Sequence, residues 1–488
     1  MAIALVALTT ALRLTGSVDT DVSWQLWIAG RMHAGARLYR DIIEVNPPLW
    51  FWMALPVDRI ATVLHASVDK VLIVGIGLLA ALSLAATDKL NDFGRPRQAL
   101  LLGYAAVVLT VMPWMQVGQR EQLVLLGTLP YAALVAARRE GRQVPAWLAA
   151  LVGTGAAFGF ALKHYFLVVP ILLELWLLLS RRRGWRPVRP ETAAIVLVGL
   201  AYAVSILLFA PDFLAVIVPL VRLAYGTTGT PHLVDLLQPA VLAGTITLLL
   251  VASQQTRLQS AHSGLVFSLL LAATGFLIAY FLQAKGWAYH ALPLLGCSSL
   301  AFAATLAGSQ RVPRPLALLA PAILLMPLAI AANAILREPA PGPDVREAVA
   351  GMKPGESVGF IATDPALAWS ITLQHRLRYA SRYMGFWMVR AVVQNEQQSR
   401  PDPRLRALGR EIVSQTGEDF RCIPPRRIII ARPRAGEDGF DILPFFLRDP
   451  AFAALFSHYR LRSRSTVATY ELADRLEPTR SSTCRHGV

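Results

Sequence analysis

Apolar segments of 16 to 20 residues follow one another along the chain as far as Leu336, and short polar stretches separate them. A helix of about 20 apolar residues is long enough to cross the hydrocarbon core of a bilayer. A soluble core does not need so many such segments, and inside lipid the backbone groups are satisfied only in helices or closed barrels. The pattern therefore predicts a polytopic α-helical membrane protein with about 11–12 membrane segments.

Two of the apolar segments have features of their own. In chain order the segments cover residues 1–15, 48–65, 71–86, 98–114, 123–137, 146–179, 192–210, 233–252, 264–282, 292–307 and 316–335. The first is short for a span and has no Ala-x-Ala-like cleavage site, so we expect an uncleaved helix that also serves as the targeting signal. The long stretch 146–179 is interrupted at Lys163, which predicts two short helices that meet there.

Basic residues mark one face of the predicted membrane domain. Runs of them follow three segments, at Arg138, Arg181 and Arg311. Cytoplasmic loops carry an excess of Lys and Arg, so these runs predict the cytoplasmic face. The loops at the other segment ends, which contain Glu121, Lys163 and Lys285, are then on the outer face.

The first loop, residues 16–48, is also predicted outside. An even number of crossings must then separate it from Glu121, yet three apolar segments lie between them. We therefore expect the segment 48–65, which carries Asp58 and Arg59, to be half-inserted or broken, because short apolar runs are ambiguous.

The composition changes at residue 337, where the apolar runs shrink to strand length. Strands are predicted at 357–361, 427–431 and 465–472, and helices at 402–416 and 449–456. A linker rich in Pro and Gly at 338–343 precedes them. We therefore divide the chain into a membrane domain, residues 1–336, and a soluble C-terminal α/β domain, residues 337–488, which the topology puts outside the cytoplasm.

The chain is strongly basic: its 488 residues carry a formal charge of +16, with 47 Lys and Arg. Such a balance suits a nucleic-acid-binding protein. Here, however, the charges cluster in short loops between apolar segments, as the positive-inside pattern predicts. We therefore expect membrane lipid rather than nucleic acid as the partner.

The chain has three cysteines. Cys297 lies in an apolar run and is predicted to be a small core residue. Cys422 and Cys484 both fall in the polar C-terminal part, where a disulfide can form if that part is outside the cytoplasm. The sequence gives no distance between these two cysteines, so it does not decide whether the disulfide forms.

The first loop predicts a helix. Trp24, Trp27, Ile28 and Met32 recur at steps of three or four and share one helix face. A helix of this kind lies along the bilayer surface with its indoles in the headgroup layer. It would hold Asp21 just above the lipid.

The stretch from Asp19 to Trp52 resembles the polyprenyl-phosphate-dependent glycosyltransferases of the GT-C class. The resemblance is to the branch, family 39-like, that holds protein O-mannosyltransferases and lipid A aminoarabinose transferase. In that branch the first outer loop carries an acidic motif, a surface helix ending near a Gly, and a basic or polar residue before Pro-Pro-Leu and an aromatic pair. These features match Asp21, the helix to Gly35, and the sequence Asn-Pro-Pro-Leu-Trp-Phe-Trp that begins at Asn46.

The chain departs from the family at two positions. The family often places a second acid beside the first and a Lys or His before the prolines, whereas this chain has Val22 and Asn46. The resemblance covers about the first 335 residues and is specific at the loop that ends in Asn-Pro-Pro-Leu-Trp-Phe-Trp.

Glycosyl transfer from a lipid phosphate needs a carboxylate that takes the proton of the incoming hydroxyl and cations that stabilise the leaving phosphate. The outer loops supply both. The candidate catalytic acids are Asp21, Asp19 and Glu121; the candidate donor-phosphate-binding residues are Lys163, Lys285, Arg120 and Arg222; and the candidate sugar or acceptor contacts are Asp41, Glu44, Asn46, Trp24, Tyr165, Trp287, Tyr289 and His290.

Two lysines stand out because only five of the basic residues are lysines. Lys163 and Lys285 both lie in short outer loops, beside aromatic residues and histidines. A compact ammonium suits a phosphate oxygen where a guanidinium fork would crowd it. Related transferases carry lysines at corresponding places, so the resemblance implies the same role.

Each of these residues also has a structural interpretation. Asp19 or Asp21 can cap a helix, Glu121 can pair with Arg120 at a helix start, and the lysines can extend to the lipid headgroups. No cofactor is indicated. A divalent metal bound by Asp41 and Glu44 stays open, but no His or Cys pair has ligand spacing.

We therefore expect an inverting glycosyltransferase of the cytoplasmic (inner) membrane. It would move a sugar from a polyprenyl-phosphate donor to a glycan, lipid or protein acceptor on the outer face. Two alternatives stay open: a transporter or flippase of a lipid-linked sugar, and a non-catalytic membrane scaffold. Transporters usually bury charges at mid-membrane, whereas here the charges gather at one face.

Overall fold

The computed structural model spans residues 1–488. The structure describes residues 1–227, 232–255, 263–310, 312–336, 342–432 and 440–473, together with Leu476 and Cys484. Two features of the sequence analysis, Arg311 and residues 338–341 of the linker, lie outside the described residues.

The described residues are predominantly helical. In chain order, helices α1 to α21 are Ala2–Arg13, Thr20–His33, Leu49–Val63, Val68–Leu90, Arg95–Ala106, Arg120–Arg139, Ala146–Ala161, Val168–Arg181, Pro190–Phe209, Val218–Thr227, Leu233–Leu236, Pro239–Gln254, Ser263–Gln283, Leu292–Gly308, Arg314–Leu336, Pro343–Val349, Trp369–Gln374, Met388–Glu396, Pro403–Cys422, Leu443–Leu447 and Pro450–Phe456. Single turns extend some of them, among them the π-helical turns Val107–Val111 and Phe213–Ile217.

The chain folds into two compact units. Unit 1 contains Met1–Val18, Ile60–Ser205 and Thr230–Arg337, and unit 2 contains Asp19–Arg59, Ile206–Gly229 and Glu338–Val488. The sequence analysis instead divided the chain once, between residues 336 and 337. The difference is that the first loop and the segment 206–229 belong to the same unit as the C-terminal residues.

Unit 1 accounts for most of the apolar helices. Within the described part of the chain, six helices are long and apolar enough to cross a membrane, and four more are apolar but shorter. The six are Val68–Leu90, His164–Gly184, Pro190–Phe209, Ser263–Gln283, Ala288–Gly308 and Arg314–Leu336. By length and composition they are consistent with the prediction of a polytopic helical protein.

Small residues allow the helices of unit 1 to pack closely. A Cβ atom on Gly127 of α6 would lie 2.8 Å from the backbone oxygen of Gly155 on α7. A Cβ on Gly159 of α7 would lie 3.0 Å from the Cα atom of Val124 on α6. Small residues at helix contacts are typical of membrane bundles, where packing rather than exclusion of water holds helices together.

One local prediction in the apolar segments is confirmed. The stretch 146–179 forms two helices, α7 and α8, which a 3₁₀ turn at His164–Leu167 joins. Helix α3 has 15 residues and contains Pro56. At 1.5 Å per residue it is shorter than a hydrocarbon core of about 30 Å, and its partial insertion stays a prediction.

Unit 2 contains a mixed five-stranded sheet. Its strands are β1 Ser357–Ile361, β2 Arg378–Tyr379, β3 Arg427–Ala431, β4 Tyr459–Arg464 and β5 Val467–Leu472, in the spatial order β2-β1-β3-β5-β4. Strand β1 is parallel to β2 and β3, whereas β5 is antiparallel to β3 and β4. The first two predicted strands are therefore confirmed, and the third is β5, which begins two residues later than predicted.

The core of unit 2 lies between the sheet and its helices. Buried side chains from both include Ile361, Ile428, Ile430, Val389, Ile412 and Phe452. The predicted helices at 402–416 and 449–456 correspond to α19 and α21, and Asp449 accepts a hydrogen bond from the Phe452 amide as the N-cap of α21. Helix α19 runs six residues beyond its predicted end.

Two expectations for unit 2 are corrected. The predicted outer loop from 211 onwards is helical over the π turn and α10, and Ala224 of α10 lies in the unit 2 core. The predicted surface helix exists as α2, but Trp24 is only 1% exposed and its ring lies 4.4 Å from that of Trp369. The indole of Trp24 is therefore buried in protein and not in a headgroup layer.

Candidate functional site

Unit 1 contains a buried polar cluster around the ammonium group of Lys163. Its Nζ donates to Glu121 Oε1 at 2.6 Å and to Gln283 Oε1 at 2.9 Å, and lies 3.1 Å from His290 Nε2. The exposed fractions are 8% for Lys163, 0% for Glu121 and 5% for His290. We call Glu121, Lys163, Gln283 and His290 the Lys163 cluster.

All four residues of the Lys163 cluster lie at helix ends. Glu121 is in the first turn of α6, and Lys163 precedes the 3₁₀ turn between α7 and α8. Gln283 is the last residue of α13, and His290 lies in the 3₁₀ turn before α14. The cluster therefore joins three breaks in the helical bundle that are far apart in sequence.

The turn before α6 fixes the position of Glu121. Gly118 has a φ of +85°, a conformation that L side chains rarely adopt. The side chain of Gln122 accepts a hydrogen bond from the Gly118 amide at 2.8 Å and donates to the Leu109 carbonyl at 2.9 Å. These bonds lock the turn, so the carboxylate of Glu121 points inward.

The loop between α13 and α14 is similarly constrained. Ala284 and Gly286 have φ angles of +47° and +67°. A Cβ on Gly286 would lie 2.7 Å from the Asp235 backbone oxygen, so only glycine fits there without a shift. The result is a tight turn that directs His290 inward, while Trp287 beside it is 47% exposed.

Some polar capacity of the Lys163 cluster is unused. Among the described residues, Glu121 Oε2 and His290 Nδ1 are buried and have no hydrogen-bond partner. Unpaired polar atoms in such a place are costly. The cluster can therefore accept a hydrogen bond at Glu121 and exchange a proton or hydrogen bond at His290.

The charges around His290 are unequal. Lys163, Arg120 and Lys285 all act on it electrostatically as cations, whereas Glu121 acts as the one anion among those neighbours. Burial lowers the pKa of Lys285 below its ordinary value. The cations near His290 are the groups of this site that could attract an anionic ligand.

Three predicted contacts of unit 1 lie near the cluster. Trp287 and Tyr289 stack with ring centroids 5.8 Å apart, and Tyr289 packs edge-on against His290 at 4.5 Å. Tyr165 packs against the exposed His164 at 3.8 Å. These rings provide an aromatic border to the polar cluster.

The first-loop acids lie in unit 2. Asp19 is the N-cap of α2, and its carboxylate accepts a hydrogen bond from the Thr20 amide at 2.6 Å. Asp21 follows in the first turn and is partly exposed. Asp19 has a structural role as the cap of this helix. Asp21 is therefore the stronger candidate for catalysis in this loop.

Glu44 organises the end of the first loop. Its Oε1 accepts hydrogen bonds from the backbone amides of Val45 and Asn46 and from the Asn46 side chain, each at 2.7 Å. The indole of Trp24 donates to its other oxygen. These contacts give Glu44, Asn46 and Trp24 a structural task, since Glu44 is 2% exposed and its carboxylate serves four donors.

The remaining predicted residues of unit 2, Asp41 and Arg222, have different surroundings. Asp41 accepts a hydrogen bond from the Arg37 amide at 2.7 Å. Arg40 pairs with Asp212, with Nη2 3.2 Å from Oδ1. Arg222 is exposed on α10.

The sequence analysis missed two features of unit 1. Gln283, a neutral residue two positions before Lys285, gave no signal apart from its place in the outer loop. The second feature is an ion-pair network at the opposite ends of the helices. Arg138 Nε and Nη2 bind Glu191 at 2.8 and 3.0 Å, and Arg189 Nε binds the same carboxylate at 2.9 Å.

This network bears on the predicted topology. Helix α6 carries Glu121 in its first turn and Arg138 in its last turn, and α8, Val168–Arg181, follows the turn after Lys163. Glu121 and Lys163 are in contact at one end, and the basic residues follow at the other. The arrangement is consistent with the predicted alternation of outer and cytoplasmic loops.

No protein-family model matches the chain, and no curated protein sequence matches it. In the part of the chain that the structure describes, no group of three or more His, Cys, Asp or Glu side chains is arranged to hold a metal ion. The residues of the site itself are therefore the basis for its proposed chemistry.

The topology gives the first testable expectation. Single cysteines placed at Tyr165 and Trp287 should react with an impermeant maleimide added to the outside of intact cells, because both border the Lys163 cluster. A cysteine at Arg183, in the basic run, should react only after the membrane is permeabilised. The background is a variant in which Cys297, Cys422 and Cys484 are serine. Labelling of Tyr165 and Trp287 positions from opposite sides would contradict the shared face.

Proposed function

We propose that this chain is a polyprenyl-phosphate-dependent glycosyltransferase of the GT-C kind. It would transfer a sugar from a lipid-phosphate donor to an acceptor on the outer face of the cytoplasmic membrane. One observation carries the proposal: the buried side chains of Lys163, Glu121 and His290 contact one another at helix ends of an apolar bundle. Buried charges in a membrane domain are costly and mark functional sites.

The cations at this site suit a reaction in which a phosphate is the leaving group. A phosphate that loses its sugar gains negative charge in the transition state, and fixed cations stabilise it there. Lys163 already donates to Glu121 and Gln283, so its task is to hold Glu121 and add positive charge. Lys285, next to the exposed Trp287, is the better direct contact for the donor phosphate, because a compact ammonium suits a single oxygen.

The catalytic base of the proposal is Asp21. It rests on the resemblance of the first loop and on the N-cap role of Asp19, which favours Asp21 as the base. A carboxylate can accept the proton of an acceptor hydroxyl as that hydroxyl attacks. Glu121 is paired with Lys163, so we assign it to the phosphate side of the reaction.

The proposed location is the inner membrane, with about 11–12 membrane segments and unit 2 outside the cytoplasm. The disulfide between Cys422 and Cys484 supports a position of unit 2 outside the cytoplasm, because such bonds persist in oxidising compartments. The six long apolar helices and four shorter ones support a multi-pass arrangement.

A flippase for a lipid-linked sugar is the second candidate. The buried contact of Glu121, Lys163 and His290 favours it, since transporters use such groups along proton or ion paths. Against it, the four residues of the Lys163 cluster lie at helix ends rather than in the middle of helices.

The test is a transfer assay on purified protein in lipid. A radiolabelled polyprenyl-phosphate sugar is added with a membrane extract as the acceptor source, and free polyprenyl phosphate is measured. Release should fall about a hundredfold in Lys285→Gln, with poor rescue by Lys285→Arg. The control Lys353→Gln, an exposed lysine of unit 2, should retain full release. Movement of intact donor across the bilayer without release would establish the flippase instead.

A further inference from the structure

A basic surface lies in unit 1, at the helix ends opposite the Lys163 cluster. It begins at Arg181, the last residue of α8, and continues through the 3₁₀ turn Arg182–Gly184. The guanidinium of Arg181 packs against the end of α6, where its Nη1 donates to the Arg139 carbonyl oxygen at 3.5 Å. The ends of α6 and α8 therefore meet at this surface. We call its four arginines, Arg181, Arg182, Arg183 and Arg186, the arginine patch.

Three carboxylates near this end of unit 1 bind other arginines. Glu140 pairs with Arg142 at 2.9 Å, and Arg189 pairs with Glu191 at 2.9 Å and with Glu174 at 2.5 Å. Within the described part of the chain, none of the four arginines of the patch forms an ion pair with an acid. The patch therefore carries positive charge that no carboxylate of the described residues contacts.

The backbone of the patch adopts an uncommon conformation. Arg182 has a φ of +43°, in a region that favours glycine and that L side chains rarely adopt. All four arginines of the patch are exposed, so burial of a side chain does not explain why an arginine occupies this position. Residues with such a conformation are concentrated at functional sites. The conformation of Arg182 therefore indicates that its charge has a use at this surface.

Exposed apolar side chains lead along α8 to the patch. Leu175, Leu178 and Leu179 are exposed, and they belong to a helix that is long and apolar enough to cross a membrane. Residues three and four positions apart lie on one face of a helix, so these leucines form a strip that ends at Arg182. A strip of leucines that ends in cations fits a molecule with hydrocarbon chains and an anionic headgroup.

We propose that the arginine patch binds an anionic phospholipid. Arg182 and Arg183 bind the phosphate, because a guanidinium can donate two parallel hydrogen bonds to phosphate oxygens. The acyl chains lie along the exposed leucines of α8. Arginines directly beyond a membrane helix attract anionic lipid, and each adds to the binding energy. The leucines favour a lipid over a soluble anion, which would contact the arginines alone. The site is independent of the proposed function.

The experiment measures lipid binding to the full chain by native mass spectrometry. The purified protein in detergent is titrated with phosphatidylglycerol, which is anionic, or with phosphatidylcholine, which has the same phosphate but no net charge. Phosphatidylglycerol should bind about tenfold more tightly than phosphatidylcholine. Glycerophosphoglycerol, the headgroup of phosphatidylglycerol without acyl chains, should not displace the lipid at an equal concentration, because it lacks the contacts with the leucines.

Variants locate the site. The double variant Arg182→Gln with Arg183→Gln should weaken binding of phosphatidylglycerol about tenfold and leave binding of phosphatidylcholine unchanged. Lysine at both positions should give a smaller loss, because it keeps the charge and removes the planar fork. The matched control is Arg95→Gln with Arg97→Gln, two exposed arginines in the first turn of α5, on the same predicted face. It should bind phosphatidylglycerol like the unchanged protein.

Each of three results would overturn the proposal. Equal affinity for the two lipids would show that the patch does not select an anionic headgroup. An equal loss in the double variant and in its control would show that the basic face as a whole attracts lipid, without a site at the patch. Displacement of phosphatidylglycerol by glycerophosphoglycerol at an equal concentration would assign the arginines to a soluble anion instead.

Discussion

Asp21→Asn should lower the rate of sugar transfer a hundredfold or more while the donor still binds. The substitution keeps the size and shape of the side chain but removes the basic carboxylate, so the loss should fall on the chemical step. The rate of polyprenyl phosphate release measures it, and the apparent affinity for the donor, from the concentration dependence of that rate, should change little.

Asp19→Asn is the matched control for this prediction. Asn caps a helix about as well as Asp, so the contact with the Thr20 amide should be retained and α2 should keep its start. Transfer should then stay near the rate of the unchanged protein. If the Asp21→Asn variant transfers sugar and the Asp19→Asn variant does not, the acid that matches the family motif is Asp19, two residues earlier.

Lys163→Met should destabilise unit 1 by about 3–5 kcal/mol, because it leaves the carboxylate of Glu121 buried without its cation. Glu121→Gln on its own should also destabilise, since the ammonium then remains uncompensated. The double variant Lys163→Met with Glu121→Gln should recover most of the loss in stability, because neither charge is left. Thermal unfolding of the protein in detergent, followed by tryptophan fluorescence, measures the three shifts in Tm.

The double-mutant comparison separates stability from activity. A double variant that is as stable as the unchanged protein should still release little polyprenyl phosphate, because the ammonium group of Lys163 no longer stabilises the leaving phosphate. The control is Lys70→Met, since Lys70 pairs with Asp69 at 3.1 Å and its side chain is 34% exposed. It should cost no more than about 1 kcal/mol. If the Tm shift of the double variant equals the sum of the two single-variant shifts, Lys163 and Glu121 are not energetically coupled.

The helical part of the fold could be predicted from the sequence where the apolar runs were long. The break at Lys163 was visible because a charged residue interrupts an apolar run, and the structure has its 3₁₀ turn directly after that residue. Strand β4 was missed, since its residues after Tyr459 are all exposed and gave no alternation. The burial of Trp24 was missed because its partner, Trp369, is distant in sequence.

The candidate site was predicted only in part, for physical reasons. Charge periodicity placed Glu121 and Lys163 at the same end of their helices, and they lie in contact. The sequence did not predict that His290 joins them, because that contact depends on the turn at Gly286. Glu44 was predicted to contact a sugar, yet backbone amides and an indole surround it, and such donors have no sequence signature.

The packing of α2 inside unit 2 sets an order for biosynthesis. Trp24 leaves the ribosome roughly 345 positions before Trp369, the ring it packs against. At about 5–20 residues per second, the wait lasts roughly 20–70 s. During that time Trp24 lacks the ring of Trp369, so this part of α2 must be shielded by lipid or a chaperone until Trp369 has been synthesised. A chain cut before residue 338 would never complete unit 2, and separate expression of its C-terminal residues would leave Trp369 uncovered.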